Sequence, residues 1–194
     1  MPSGDSDLPI EALRTLALAL SSIGMPYAII GGVAISVVSV PRYTKDVDAV
    51  LLHPDSNVEN LVAGLLNFGL RTVVSDPLAF ARKNRLVVLQ DSHGTTIDLS
   101  LGVLPFEIET IEKANVIEVA TGLSVPIASP EALVVMKCIA SRVKDLEDIR
   151  NLLSVNLDID RKKVLKTVTE FAEILEHPEM LDQLERLFKE HPVA

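Results

Sequence analysis

A glycine pair closes an apolar run, and thirteen residues later two aspartates flank a valine. No other feature constrains this chain as much. The first stretch reads Ala28-Ile29-Ile30-Gly31-Gly32-Val33-Ala34, and the second reads Thr44-Lys45-Asp46-Val47-Asp48-Ala49-Val50-Leu51-Leu52. The pattern predicts an apolar strand, a tight turn, a short apolar helix and a second strand bearing two carboxylates. Side chains alternate along a strand, so Asp46 and Asp48 project from one face. Two acids on one face of an otherwise buried strand repel each other and resist desolvation unless a cation lies between them. The residues thus point to a magnesium site beside a phosphate-binding turn. The glycines leave backbone amides open to a triphosphate with no side chain in the way.

A third carboxylate stands on another predicted strand, Thr95–Leu101, where Asp98 shares a face with Thr96 and Ser100. If that strand lies beside the second one, Asp46, Asp48 and Asp98 converge. Three carboxylates can hold one or two magnesium ions, with water and phosphate oxygens completing the coordination. Such a site suits in-line displacement at phosphorus.

Around this centre the chain reads as mixed α/β first and all-α last. Residues 7–23 carry Ile10, Leu13, Leu16 and Leu20 at helical spacing, and Tyr27–Ile30 reads as the first strand. Val33–Val40 reads as a short buried helix, and Asp46–Leu52 as the second strand. Asn57–Phe68 is a predicted helix closed by Gly69. Leu70–Val74 and Leu86–Gln90 read as strands, with Ser92-His93-Gly94 turning the chain into the strand that carries Asp98. Val116–Ala120 and Ser124–Ile127 form a candidate hairpin. Ser129-Pro130-Glu131 is a helix start, with a capping hydroxyl, a proline in the first turn and an acid near the positive end of the dipole. Helix continues from there, broken near Asn156–Asp160 and at His177-Pro178. The fold class is α/β (α+β), a small mixed sheet flanked by helices, with a catalytic domain at 1–128 and an all-helical region at 129–194.

Charge and composition narrow the partners. The formal net charge of −9 disfavours a broad nucleic-acid-binding surface, suits a cationic substrate and leaves room for a small basic cleft. A single cysteine, Cys138, excludes an intrachain disulfide, fits a reducing, cytoplasmic setting and reads as core. Residues 15–41 carry no charge, but Ser21-Ser22, Gly24, Pro26 and Gly31-Gly32 punctuate them. That reads as a buried helix–turn–strand rather than a membrane span. Asp5 and Asp7 stand where a signal peptide carries basic residues. Arg82-Lys83-Asn84-Arg85 is a dense basic cluster, and His93 reads as a surface turn residue.

Taken together, these residues resemble the minimal nucleotidyltransferases of the DNA polymerase β superfamily, in the branch of AbiEii-type toxins and antibiotic nucleotidyltransferases. Gly31-Gly32, Arg42-x-Thr44-x-Asp46-Val47-Asp48 and the later Asp98 match that pattern. So do Pro130-Glu131-Ala132-Leu133, Lys137 and Arg142-Val143-Lys144-Asp145-Leu146-Glu147-Asp148. The resemblance covers roughly residues 25–153 and implies a polymerase β-like fold. It implies that Gly31 and Gly32 contact nucleotide phosphates, and that Asp46 and Asp48 bind metal. Asp98 would bind metal or serve as base for the acceptor hydroxyl, and Lys137 would neutralise triphosphate charge. Arg42 and Thr44 would shape the turn before the metal strand or meet a phosphate. If one helix ran through 137–148, Lys137, Lys144 and Asp148 would share a face; if Asp145 capped a new helix, that alignment would end. Lys144, Asp145 and Asp148 read equally as a helix-surface salt-bridge cluster.

The activity implied is transfer of a nucleoside monophosphate from a nucleoside triphosphate such as ATP to an acceptor hydroxyl. The cofactor is Mg2+, two ions, with Mn2+ as the alternative. The acceptor is a small cationic molecule, a tRNA end or a protein hydroxyl. An antitoxin and a second copy of the chain are the protein partners to test, the latter because the apolar helices at 7–23 and 160–190 suit either core packing or a dimer interface. Two other readings stay open at this point. One is a nucleotide- or partner-binding module that keeps the fold without turnover. The other is an unrelated α/β protein with Asp46 and Asp48 in solvent.

Overall fold

The apolar run Tyr27–Ile30 forms β1, near the middle of a seven-stranded mixed sheet in the computed structural model, which describes residues 8–52 and 58–192. Asp5, Asp7 and Asn57, used above, lie outside the described residues. The sheet order is β3-β4-β5-β2-β1-β7-β6. Here β2 is Val47–Leu52, β3 Arg71–Thr72, β4 Leu86–Gln90, β5 Thr96–Gly102, β6 Asn115–Ala120 and β7 Leu123–Ile127. β1 runs antiparallel to β2 and parallel to β7, while β2 and β5 run parallel.

Alternation gives the sheet two unlike faces. One carries Ile29, Val47, Ala49, Leu51, Ile97 and Leu99, all fully buried. The other carries Ala28 and Val50 packed with Ile111, and continues along β2 and β5 to Asp48, Asp98 and Ser100, which are half-buried. The acids therefore sit on the less covered face, where water or a ligand can reach them.

Four helices besides the one after β1 accompany the sheet: α1 (Ile10–Ser22), α3 (Val58–Leu66), α4 (Pro77–Asn84) and α5 (Pro105–Glu112). α5 packs on β1 and β2, and α1 packs on α3. Two of them were not expected from periodicity, and both are announced by local chemistry instead. Asp76 accepts a hydrogen bond from the Ala79 amide at 3.0 Å and Pro77 opens α4. Pro105 opens α5, and Glu107 accepts from the amides of Val103 and Leu104, both at 2.9 Å. The predicted strand at Leu70–Val74 shrinks to Arg71–Thr72. The expected β4–β5 turn is fixed by the buried Asp91, whose carboxylate accepts from the amides of His93 (2.9 Å) and Thr95 (2.8 Å).

By internal packing the chain divides into two units: 1–36 with 42–128, and 37–41 with 129–194. The second is helical, with α6 (Pro130–Ala140), α7 (Val143–Val155), α8 (Arg161–Ile174) and α9 (Glu179–Glu190). Ser129 caps α6 through the Ala132 amide (3.3 Å), and Asp160 caps α8 through the Lys163 amide (3.0 Å). Asn156, past the end of α7, donates to the carbonyl of Val38 at 2.9 Å and so ties residues 37–41 to the helices. Among the described residues no helix is long and apolar enough to cross a membrane.

Candidate functional site

Asp48 and Asp98 are direct partners in the parallel β2–β5 pairing, so their side chains stand next to each other on one face. Asp48 also faces Ile30, the last residue before the glycine pair. Asp46 lies one residue outside β2, exposed, on the turn that enters it. The three are close enough to act on one another electrostatically. Burial first, then the negative charges of Asp48 and Asp46, push the Asp98 carboxyl above its usual range. Its Oδ1 atom is buried and has no hydrogen-bond partner. A buried carboxylate oxygen without a donor is a costly arrangement for the protein alone.

The glycines explain how the acids come so close to the turn. α2, Gly31–Val38, begins at the glycine pair itself, and Gly31 adopts φ +63°, which L side chains rarely adopt. A Cβ on Gly31 would lie 2.5 Å from Cγ and 2.7 Å from Cβ of Asp48. A Cβ on Gly32 would lie 3.1 Å from Cβ of Thr44 and 3.6 Å from a guanidinium nitrogen of Arg42. The space that sequence reasoning reserved for phosphate is thus shared with Asp48 and Thr44. Arg42 is placed by a reciprocal contact: Ser36 Oγ donates to its carbonyl at 2.8 Å and accepts from its amide at 3.3 Å. Gly31, Gly32, Arg42, Thr44, Asp46, Asp48 and Asp98 therefore form one cluster.

A groove of about 330 Å³ adjoins this cluster where β2 and β5 begin, lined in part by Tyr43, Thr44, Lys45, His93 and Thr95. Tyr43 is exposed, with the Lys45 ammonium 6.0 Å from its ring centre. Among the described residues the lining holds Lys45 and His93 and no acidic side chain. His93 Nδ1 lies 3.5 Å from the buried Asp91 carboxylate. Sequence patterning assigned no role to Tyr43 or Lys45 and placed His93 on the surface. The signal was proximity: all three sit within five residues of an aspartate of the cluster.

Lys137, Asp145 and Asp148 meet inside the helical unit. The Lys137 ammonium is 3.0 Å from Asp145 and 2.7 Å from Asp148, and all three side chains are buried. Arg142 binds Asp145 as well, through its side chain (2.6 and 3.0 Å) and its amide (3.1 Å). The helix breaks at Ser141, which takes φ +51°, and α7 restarts with Asp145 in its first turn. That is the capping alternative, not the continuous helix, so Lys144 stays exposed and outside the network. Two carboxylates thus already neutralise Lys137. Burial alone would raise the Asp145 carboxyl, but hydrogen bonds from Arg142 and Lys137 outweigh it and hold the pKa down to about 2. Of the basic cluster, Arg82 pairs with Glu59 and Arg85 makes two contacts of 3.3 Å with Glu107.

Among the described residues no group of three or more His, Cys, Asp or Glu side chains is arranged so that it could hold a metal ion. What fits a cation is narrower: two register-paired carboxylates, a third on the adjoining turn and one buried oxygen lacking a partner.

Comparison with known proteins agrees with the fold. A family model described as nucleotidyl transferase AbiEii toxin, type IV TA system, matches residues 12–192, and the chain belongs to that family. No curated protein matches the sequence. Among solved structures, the antibiotic-resistance factor ANT(2'')-Ia in solution superposes with a TM-score of 0.61 at 17% identity, covering 89% of this chain and 97% of that one. The lincosamide antibiotic adenylyltransferase LnuA, lincomycin-bound, gives 0.54 at 16% identity, covering 77% and 98%. A nucleotidyltransferase-like protein from Paracoccidioides brasiliensis gives 0.53 at 19% identity, covering 90% and 91%. These likenesses establish a nucleotidyltransferase fold.

The two charge clusters respond to pH in opposite senses. A raised Asp98 pKa means that the folded state favours the protonated acid. Stability is therefore complete below the ordinary carboxylate range and falls as pH rises through the raised value. Asp98→Asn, neutral and the same shape, should raise the melting temperature at pH 7 without divalent ions. A melting curve showing no gain would remove the repulsion from the account.

Asp145 behaves in the opposite sense. Its contribution is complete above its ordinary value of 3.8 and disappears as pH falls through about 2. Lys137→Met should destabilise the protein by about 3–5 kcal/mol in urea unfolding at pH 7, because two buried carboxylates lose their cation. In the unmutated protein, unfolding between pH 4 and 2 should show the loss tied to Asp145, and Asp145→Asn should flatten it.

Proposed function

We propose that this chain transfers a nucleoside monophosphate from a nucleoside triphosphate to an acceptor hydroxyl, with release of pyrophosphate. The observation that carries the proposal is the in-register pairing of Asp48 with Asp98 beside Gly31. Asp46 and Asp48 would hold magnesium, with Mn2+ able to substitute, and phosphate oxygens and water would complete the coordination. Magnesium, when bound, supplies charge neutralisation for the triphosphate and acidifies an acceptor hydroxyl.

The chain's own residues do the rest. The amides at Gly31 and Gly32, where α2 starts, and the Thr44 hydroxyl would orient the phosphates. Asp98, already inclined to hold a proton, would take the proton of the attacking hydroxyl. A bond forms between the acceptor oxygen and the α-phosphorus; the bond from that phosphorus to the bridging oxygen breaks, and pyrophosphate leaves. We assign Lys137, Asp145 and Asp148 to holding α6 on α7, because their charges are satisfied by one another.

The groove beside the acids bears on the acceptor. The Lys45 ammonium repels a cationic antibiotic, and the exposed Tyr43 offers a stacking surface for a base. This supports an anionic acceptor such as a tRNA end, within a chain whose net charge is −9. Family membership supports a toxin role, with an antitoxin as partner.

The test is pyrophosphate release with magnesium and each of the four ribonucleoside triphosphates, run with pooled tRNA, an aminoglycoside panel or no acceptor. We expect tRNA to raise release and Asp48→Asn to lower it by about a hundredfold or more, with the fold retained. Normal turnover in Asp48→Asn would refute the metal assignment. Triphosphate binding without release under every condition would make the protein a nucleotide-binding module instead.

A further inference from the structure

The acids occupy one end of the sheet, and a second cavity opens at the other. β1 spans the two: Ile30 faces Asp48, while Tyr27, about 10 Å away along the strand, faces Leu51. Around Tyr27 lies a cavity of about 550 Å³, within the size range of small-molecule sites.

α1 explains why it is there. Leu13, Leu16 and Leu20 bury one stripe of that helix in the core. Arg14, Ala17, Leu18 and Ser21 recur at helical spacing on another stripe, and these four line the cavity. Ile111 at the end of α5 and Leu123 and Pro126 on β7 contribute further apolar wall. Leu18 is 57% exposed there, an apolar side chain left facing the opening.

Two polar groups converge on this apolar surface without partners. The half-buried Arg14 guanidinium makes no hydrogen bond or ion pair among the described residues. Neither does the Tyr27 hydroxyl, and burial holds that phenol up to about 12, so it remains an O–H donor at neutral pH. Ser21 and Ser124 add hydroxyls, and among the described residues no carboxylate lines the cavity. A cation with no counter-ion among the described residues, set beside an apolar wall, suits an anion with hydrophobic bulk.

We infer that this cavity is a second binding site, for a small molecule that joins an apolar body to one anionic head group. The head lies at Arg14 and Tyr27, and the body lies against Leu18, Ile111 and Leu123. The inference stands apart from nucleotide transfer and its test reads no activity.

The probes are decanoate, decyl phosphate, decanol and decyltrimethylammonium, each below its micellar concentration, titrated into the full chain by calorimetry and methyl-detected NMR. The anions should bind saturably, shift the methyl signals of Leu18 and Leu123, and bind about tenfold more tightly than decanol. Arg14→Gln should bring the anions down to the decanol level, and Arg14→Lys should keep much of the preference. Ala17→Trp should block all binding by filling the cavity. Which anion binds more tightly assigns the head as carboxylate or phosphate. Equal affinity for anion and alcohol, no loss in a folded Arg14→Gln, shifts elsewhere in the chain, or no binding at all would each overturn it.

Discussion

Asp48 and Asp98 face each other across parallel strands, and the site at this end of the sheet is built around that pairing of like charges. The pairing register cannot slip by one residue without carrying Val47, Ala49, Ile97 and Leu99 out of the core. The hydrophobic face thus holds two like charges side by side. Gly31 deepens the constraint, since its left-handed backbone and missing side chain let Asp48 lie against the turn. The fold accepts an oxygen with no donor at Asp98 and a carboxyl pushed towards neutrality. A rigid sheet holds this local cost in place, and the cation and triphosphate proposed above would relieve it.

The helical unit treats charge in the opposite way. Lys137, Asp145, Asp148 and Arg142 satisfy one another, and Asp145 is held ionised well below the usual carboxylate range. Three buried charged side chains there need no ligand to balance them. The contrast separates aspartates that look alike in the sequence: Asp145 is held by Lys137 and Arg142, whereas Asp98 keeps one buried oxygen with no donor.

Much of this was legible before any coordinates. Strand alternation put Asp48 and Asp98 on the polar face of their strands, because period two needs no tertiary information, but Asp46, expected to open β2, lies one residue outside it. The glycine pair, the hairpin at Ser92-His93-Gly94 and the cap at Ser129 were legible for the same reason: each is set by chemistry within a few residues. α4 and α5 were missed because both are only eight residues long and lack an apolar stripe, so only Asp76-Pro77 and Pro105 with Glu107 announced them. The partners of Lys137 hinged on one residue, Ser141, turning left-handed and starting a new helix. The groove of Tyr43, Lys45 and His93 joins two turns far apart in the chain, and periodicity carries no information about such a meeting.

The central claim is that a divalent cation completes the carboxylate cluster at the start of β2 and β5. Anomalous diffraction from crystals grown with Mn2+ and a non-hydrolysable triphosphate analogue tests it directly. The account requires a manganese peak in contact with Asp48, close to Asp46 and Asp98, and triphosphate density against the backbone of Gly31 and Gly32. Manganese bound elsewhere, or a triphosphate seated away from the glycine pair, would contradict it.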